Sequence, residues 1–140
     1  MKKEKAKVKT KKTTILVDIH NTILNGDGIN QIVVDAIKGF VKIGYSIVVF
    51  TADRLEEPEK TNAKILKAGV IFEEFYYPDH SATFQNEDDA AIKEILYDES
   101  IKHIFDIKLL IDNSKDVCKL FNKELKIPVM RFKAPKNEIN

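Results

Sequence analysis

The chain has 140 residues, with 23 Lys and Arg against 22 Asp and Glu, 44% hydrophobic residues and 32% charged ones. That balance is ordinary for one globular domain and excludes a fibrous or low-complexity chain; no apolar run is long enough to span a bilayer, no signal peptide is visible, and no membrane contact is expected. The single cysteine, Cys118, excludes an internal disulfide and points to a reducing, cytoplasmic compartment; its helical, partly buried setting reads as packing.

Residues 1–12, MKKEKAKVKTKK, carry seven lysines and one glutamate. Such a segment cannot bury apolar surface, so a disordered basic tail is expected before a domain over residues 13–140. It suits sequence-blind contact with phosphate backbones, or simple solvation. TTILVDI (13–19) then reads as a strand buried on both faces, the mark of a parallel sheet. Apolar spacing predicts a helix over 29–43, ending at Gly44. YSIVVFTA (45–52) is a second buried strand. Residues 58–68 form a helix between Pro58 and Gly69, and FEEFYYP (72–78) is a third strand nearer the sheet edge.

After a polar loop (79–86), Asn86 is expected to cap a helix running to about Phe105, with Glu87, Asp88 and Asp89 in its first turn. IKLLIDN (107–113) is the fourth strand, Ser114 caps a helix to about Leu125, and PVMRF (128–132) is the fifth strand. The alternation predicts an α/β, Rossmann-like open parallel five-stranded sheet of order 5-4-1-2-3, with helices on both faces.

Ligands of such sheets bind at the carboxyl ends of the strands, where the order reverses. The first, second and fourth strands end in Asp18, Thr51 and Asp112, which that order brings together. Two neighbouring carboxylates repel unless a cation lies between them. One or two carboxylates plus substrate phosphate is the usual Mg²⁺ arrangement, so the pattern alone suggests a Mg²⁺–phosphate site. Against this, strands commonly end in Asp or Thr only because loops begin there.

These residues resemble the motifs of the haloacid dehalogenase (HAD) phosphatases. VDIHNT matches the first motif at Asp18 and Thr22, VVFTAD the second at Thr51, and LLIDNSKD the fourth at Asp112, with Asp116 one turn on; Lys93 in DDAAIKEIL is the candidate third-motif lysine. GYSIVVFTADRLEEP and HIFDIKLLIDNS are most similar to the 3′-phosphatase domain of phage-type polynucleotide kinase, and no glycine-rich kinase loop is present. The resemblance implies a capless HAD core, because only LNGDGIN (24–30) and the 78–86 loop stand at the two cap insertion points.

The resemblance also implies roles. Asp18 is the nucleophile that forms an aspartyl-phosphate, and Thr51 and Lys93 stabilise the phosphoryl oxygens. Thr22, Asn21 and Arg54 serve the substrate side. The Mg²⁺ ligands are Asp18, the His20 backbone carbonyl, Asp112, and Asn113 or Asp116. His20 stands where the family has its general-acid aspartate. Imidazole suits acid–base work near neutrality, although a nearby Mg²⁺ favours the neutral ring. His20 therefore reads as a working acid/base, as the mark of a slow or inactive relative, or as a trapped variant. Asn21, in the usual glycine position, tolerates a left-handed backbone.

Three functions are carried forward. The first is a Mg²⁺-dependent phosphomonoesterase on polynucleotide 3′-phosphate ends, with nucleic acid contacted through the tail and Arg54. The second acts on a small-molecule or nucleotide phosphate ester. The third is a catalytically weakened phosphate- or nucleic-acid-binding module. His80 and His103 read as surface residues, and Tyr76, Tyr77 and Phe84 as packing or as base-stacking platforms.

Overall fold

The computed structural model describes residues 10–133. Residues 1–9, most of the expected tail, lie outside the described residues. The first strand, β1 (Lys12–Asp18), starts at the last residue assigned to that tail. Two short strands, β2 (Leu24–Asn25) and β3 (Gly28–Ile29), follow, then α1 (Gln31–Lys42), β4 (Ser46–Phe50), α2 (Pro58–Lys67) and β5 (Glu74–Tyr76). Next come α3 (Asp89–Leu96), a π-helical stretch at Tyr97–Ile101, and α4 (Lys102–Ile104). The chain closes with β6 (Phe105–Asp112), α5 (Lys115–Lys123) and β7 (Val129–Arg131).

The main sheet has the order β5-β4-β1-β6-β7, and every pairing in it is parallel. With β2 and β3 set aside, this is the expected 5-4-1-2-3 order. Side chains alternate across the central strands. Leu16, Val48, Phe50 and Leu110 bury against Ile92, Leu96 and Phe121 of α3 and α5. Ile15, Val17, Ile47 and Val49 bury against Val33, Ile37 and Ile65 of α1 and α2. The chain is thus doubly wound, and each fully buried Ile, Leu or Phe contributes roughly 1.5–3 kcal/mol through lost apolar hydration.

One irregularity positions the functional end. The β1–β6 register shifts between Thr14 and Ile15: Thr14 pairs with Ile107, but Ile15 pairs with Leu109. One extra residue in β6, Lys108, is absorbed there as a bulge. A one-residue shift reverses which face a strand's side chains use. Beyond it Val17 stands beside Ile111, so the next residues, Asp18 and Asp112, end adjacent strands on the same face as Leu16 and Leu110.

Several boundaries differ from expectation. Ile29 does not start α1 but closes a β2–β3 hairpin, where Gly26 takes a φ of 61° at the first central turn position, a conformation suited to glycine. Helical spacing in 29–43 could not see this, because a two-residue strand has no periodicity. Asn86 is not the cap of α3: its φ is 65°, and Asp88 caps instead, its Oδ1 accepting from the Ala91 N–H at 2.8 Å. Ser114 does cap α5, accepting from the Val117 N–H at 3.2 Å. Asp88→Ala is expected to cost about 1 kcal/mol and to lower the melting temperature by a few degrees. Thermal denaturation by circular dichroism checks this; an unchanged transition would show that the cap contributes nothing.

Candidate active site

At the carboxyl end of the sheet, Asp18, Asp112 and Lys93 meet in a buried triad, each under 5% exposed. The Lys93 Nζ donates to Asp18 Oδ1 at 2.6 Å and to Asp112 Oδ2 at 2.7 Å. Lys93 arrives from α3, which packs on the face that both aspartates share. Its ammonium also lies 4.7 Å from the centroid of the Phe50 ring. The remaining carboxylate oxygens are engaged as well. Asp18 Oδ2 accepts from the Thr22 hydroxyl at 2.8 Å, and Asp112 Oδ1 accepts from the Ser114 N–H at 2.9 Å.

A cation does lie between the two carboxylates, as repulsion demands, but it is the ammonium of Lys93. Burial opposes the charge on Lys93, yet the two aspartates outweigh it and raise its pKa above the ordinary lysine value. The triad still holds two negative groups for one positive. Burial, then the neighbouring Asp18 charge, pushes the Asp112 carboxyl up to about 6 despite Lys93. Cys118 packs beneath, with Sγ 3.6 Å from the Asp112 carbonyl oxygen; burial raises its thiol to about 11, which makes it a poor nucleophile.

Above the triad opens a cavity of about 180 Å³, whose lining includes Asp18, His20, Asn21, Thr51, Lys93 and Asn113. Asn21 holds a φ of 63° in the tight turn after β1, so the left-handed backbone expected there is present. Thr51 follows the end of β4, and its Oγ1 accepts from the Asp53 N–H at 3.1 Å. His20 Nδ1 lies 2.8 Å from Asp53 Oδ2 and 3.4 Å from Thr51 Oγ1. Thr22 is buried below the cavity and also reaches Asn113 Oδ1 at 3.4 Å.

Of the expected residues, Thr22 and Asp112 are buried and do not line this cavity, and Asp116 and Arg54 are not brought to it either. Asp116 is exposed in the first turn of α5 and does not line it. The Arg54 guanidinium donates to the Phe84 carbonyl instead. Phe84 is core and Tyr76 packs on the core. His80 and His103 are exposed. Two lining acids carry no role in the sequence reading, Asp53 and Asp89. Asp89 stands one turn before Lys93 on α3, where it reads simply as a helix-start acid. Asp53, two residues past Thr51, becomes visible only when β1 and β4 lie side by side.

The donor set fits a hard divalent cation. It consists of oxygens from buried carboxylates and an asparagine amide, and it carries one negative charge beyond what Lys93 neutralises. Among the described residues no three His, Cys, Asp or Glu side chains cluster closely enough to hold a metal unaided. A metal here would need backbone, water and phosphate oxygens as well, which is how Mg²⁺ is commonly held.

Residues 12–135 match the family described as the polynucleotide kinase PNKP phosphatase domain. The chain belongs to that family. It is a phosphatase of the HAD type. The PNKP-type fold is also found in solved structures. A chain in the structure of a Pnkp1/Rnl/Hen1 complex matches with a TM-score of 0.79 at 19% identity, over 91% of this chain and 48% of that one. A chain in the structure of the Pnkp1/Rnl/Hen1 RNA repair complex matches with a TM-score of 0.78 at 20% identity, over 87% and 42%. This HAD phosphatase chain therefore spans less than half the length of those two. Comparison with curated proteins gave no match. Among the described residues, no helix is long and apolar enough to cross a membrane.

Proposed function

We propose that the protein is a Mg²⁺-dependent phosphomonoesterase that removes 3′-phosphates from polynucleotide ends through an aspartyl-phosphate. The observation that carries this reading is the Asp18 carboxylate, fixed by Lys93 and Thr22 at the floor of an open cavity in a PNKP-type phosphatase domain. A fixed carboxylate gives up no orientational freedom when it attacks phosphorus. Asp18 displaces the leaving oxygen in line, and His20 hands that oxygen a proton. Water then attacks phosphorus, His20 recovers a proton from it, and phosphate departs as Asp18 is restored.

Thr51 Oγ1 accepts from a backbone N–H, which leaves its own hydrogen for a phosphoryl oxygen. Lys93 offsets the charge gathering on those oxygens. Asp18, Asp112, Asn113 and the His20 backbone carbonyl are the groups that would hold Mg²⁺, which when bound supplies neutralisation as nucleophile and phosphate, both negative, approach. No cap covers the entrance among the described residues. The segment after β1 is only the β2–β3 hairpin, and the one after β5 only a single 3₁₀ turn, Ala82–Phe84. An uncovered site admits a nucleic acid end, and the seven lysines of residues 1–12 supply positive charge for its backbone. A cytoplasmic setting accords with the lone thiol.

A second reading, a small phosphate ester as substrate, is favoured by Asp53 and Asp89 at the cavity, since acids repel a polyanion. Phosphate release from a 3′-phosphorylated oligonucleotide, a 3′-mononucleotide and p-nitrophenyl phosphate, with Mg²⁺ and with chelator, separates the possibilities. The expected result is highest kcat/KM on the oligonucleotide and loss of turnover with chelator. Preference for the mononucleotide would replace the first reading with the second. Binding without turnover on all three would leave only a phosphate-binding module. Activity that survives chelation would remove Mg²⁺ from the mechanism.

A further inference from the structure

Asp53 has no role in the chemistry described so far, yet it touches His20, the proton donor of the proposed function. In the proposed function His20 protonates the leaving oxygen. One of its ring nitrogens is already engaged: Nδ1 lies 2.8 Å from Asp53 Oδ2. The Thr51 hydroxyl is the other nearby group, at 3.4 Å from the same nitrogen. No hydrogen bond engages Nε2 among the described residues. A carboxylate can only accept, so an imidazole that keeps this short contact must carry a hydrogen on Nδ1. That choice of tautomer decides which nitrogen is left for proton exchange.

We propose that Asp53 is a positioning residue: it holds His20 by Nδ1–H so that Nε2 alone exchanges the proton with the leaving oxygen and then with water. This rests on the reading of His20 as the proton donor. During phosphoryl transfer the Nε2–H proton passes to the leaving oxygen as its bond to phosphorus breaks and the Asp18–phosphorus bond forms. During hydrolysis Nε2 takes a proton from the attacking water as the Asp18–phosphorus bond breaks. The Nδ1–H remains on Asp53 throughout. The same contact frees Thr51, because a ring nitrogen that already bears a hydrogen cannot accept from the threonine hydroxyl.

The arrangement is poor as a stabilising device. The two side chains are 39% and 55% exposed. Pairs this exposed contribute little to folding. A solitary aspartate at the position of His20 would need no such partner, since a carboxyl has no tautomer to choose. The His20–Asp53 pair is thus a compensated replacement for a single acid.

The test uses two leaving groups. A nucleoside 3′-oxygen is a poor leaving group and needs the proton; p-nitrophenolate leaves with little help. Asp53→Ala is expected to lower kcat/KM on a 3′-phosphorylated oligonucleotide by roughly 10–100-fold, and on p-nitrophenyl phosphate by much less. Asp53→Asn, whose amide oxygen still accepts from Nδ1–H, should recover most of the loss. In ¹⁵N spectra of the wild-type imidazole, the hydrogen of the neutral ring should sit on Nδ1, and Asp53→Ala should shift the ring toward the other tautomer. His20→Ala runs alongside and should show the same leaving-group selectivity with a larger loss. If His20→Ala is selective but Asp53→Ala is not, or if the tautomer does not change, Asp53 is not the positioning residue and the role of His20 stands. If His20→Ala itself acts equally on both esters, the proton-donor reading falls, and this inference falls with it.

Discussion

Replacing Asp18 by asparagine is expected to reduce turnover by on the order of 10⁴–10⁶-fold, the scale seen when a covalent nucleophile is removed, while the domain stays folded. The geometry explains why both outcomes should occur together. An amide is nearly isosteric with the carboxylate, and its oxygen can still accept from Lys93 Nζ, which lies 2.6 Å from Asp18 Oδ1. Its NH₂ can donate to the Thr22 oxygen, which lies 2.8 Å from Asp18 Oδ2. The substitution also removes one of two carboxylates that share a single ammonium, so electrostatic strain falls. The melting temperature should therefore stay within a few degrees of the wild type, or rise. What is lost is the nucleophile. Rapid quenching after mixing with a labelled 3′-phosphorylated oligonucleotide should give protein-bound label in the wild type and none in the variant. A variant that kept more than a few per cent of activity would show that the phosphoryl group does not pass through Asp18.

The elements legible in the sequence are those whose signal repeats. ILVD, SIVVF and KLLID are continuous β-branched and apolar runs, and a parallel sheet covered on both faces demands such runs. Ser114 was legible because a serine before a helix has one common use. The β2–β3 hairpin was not, since Leu24 and Ile29 belong to strands of two residues each. Nor was the exact start of α3, because Asn86 and Asp88 are both good caps and only the traced backbone tells which one has left-handed geometry.

The candidate site divides in the same way. Asp18, Thr51 and Asp112 were legible as strand ends once a strand order was assumed. That the first cation between the two acids is Lys93 was not, because it depends on the bulge at Lys108 that turns Asp112 toward the face on which α3 lies. Arg54 had the right charge and a plausible place, yet its guanidinium goes to the Phe84 carbonyl, a backbone acceptor that no side-chain pattern reveals. Asp53 lay within the quoted TAD segment, but its significance depends on a cross-strand neighbour, His20, that is 33 residues away in sequence.

Lys93→Met carries the largest expected effect on folding. Methionine fills the volume of lysine but leaves Asp18 and Asp112 facing each other, buried, with no ammonium between them. Removing one partner from a buried ion pair typically costs about 3–5 kcal/mol, because the remaining charge is uncompensated; for a domain of this size that lowers the melting temperature by roughly 10 °C or more. Turnover should fall as well, since the phosphoryl oxygens lose their cation. The pH dependence identifies the cause. With Lys93 present, burial and Asp18 already raise the Asp112 carboxyl to about 6; without the ammonium it rises further. A carboxyl whose folded pKa exceeds its unfolded value, near 3.9, costs stability above the folded pKa. That cost shrinks as pH falls through the folded pKa and vanishes below the unfolded one. Lys93 has its own pKa raised above 10.5, so its charge is constant across this window. The melting-temperature gap between wild type and Lys93→Met should therefore narrow as pH is lowered from 8 to 5. Mg²⁺ at pH 8 should narrow it too, by giving the two carboxylates another cation. A gap that ignored both pH and Mg²⁺ would mean that the loss comes from packing, and that the acids at the floor of the cavity do not depend on Lys93 for their charge balance.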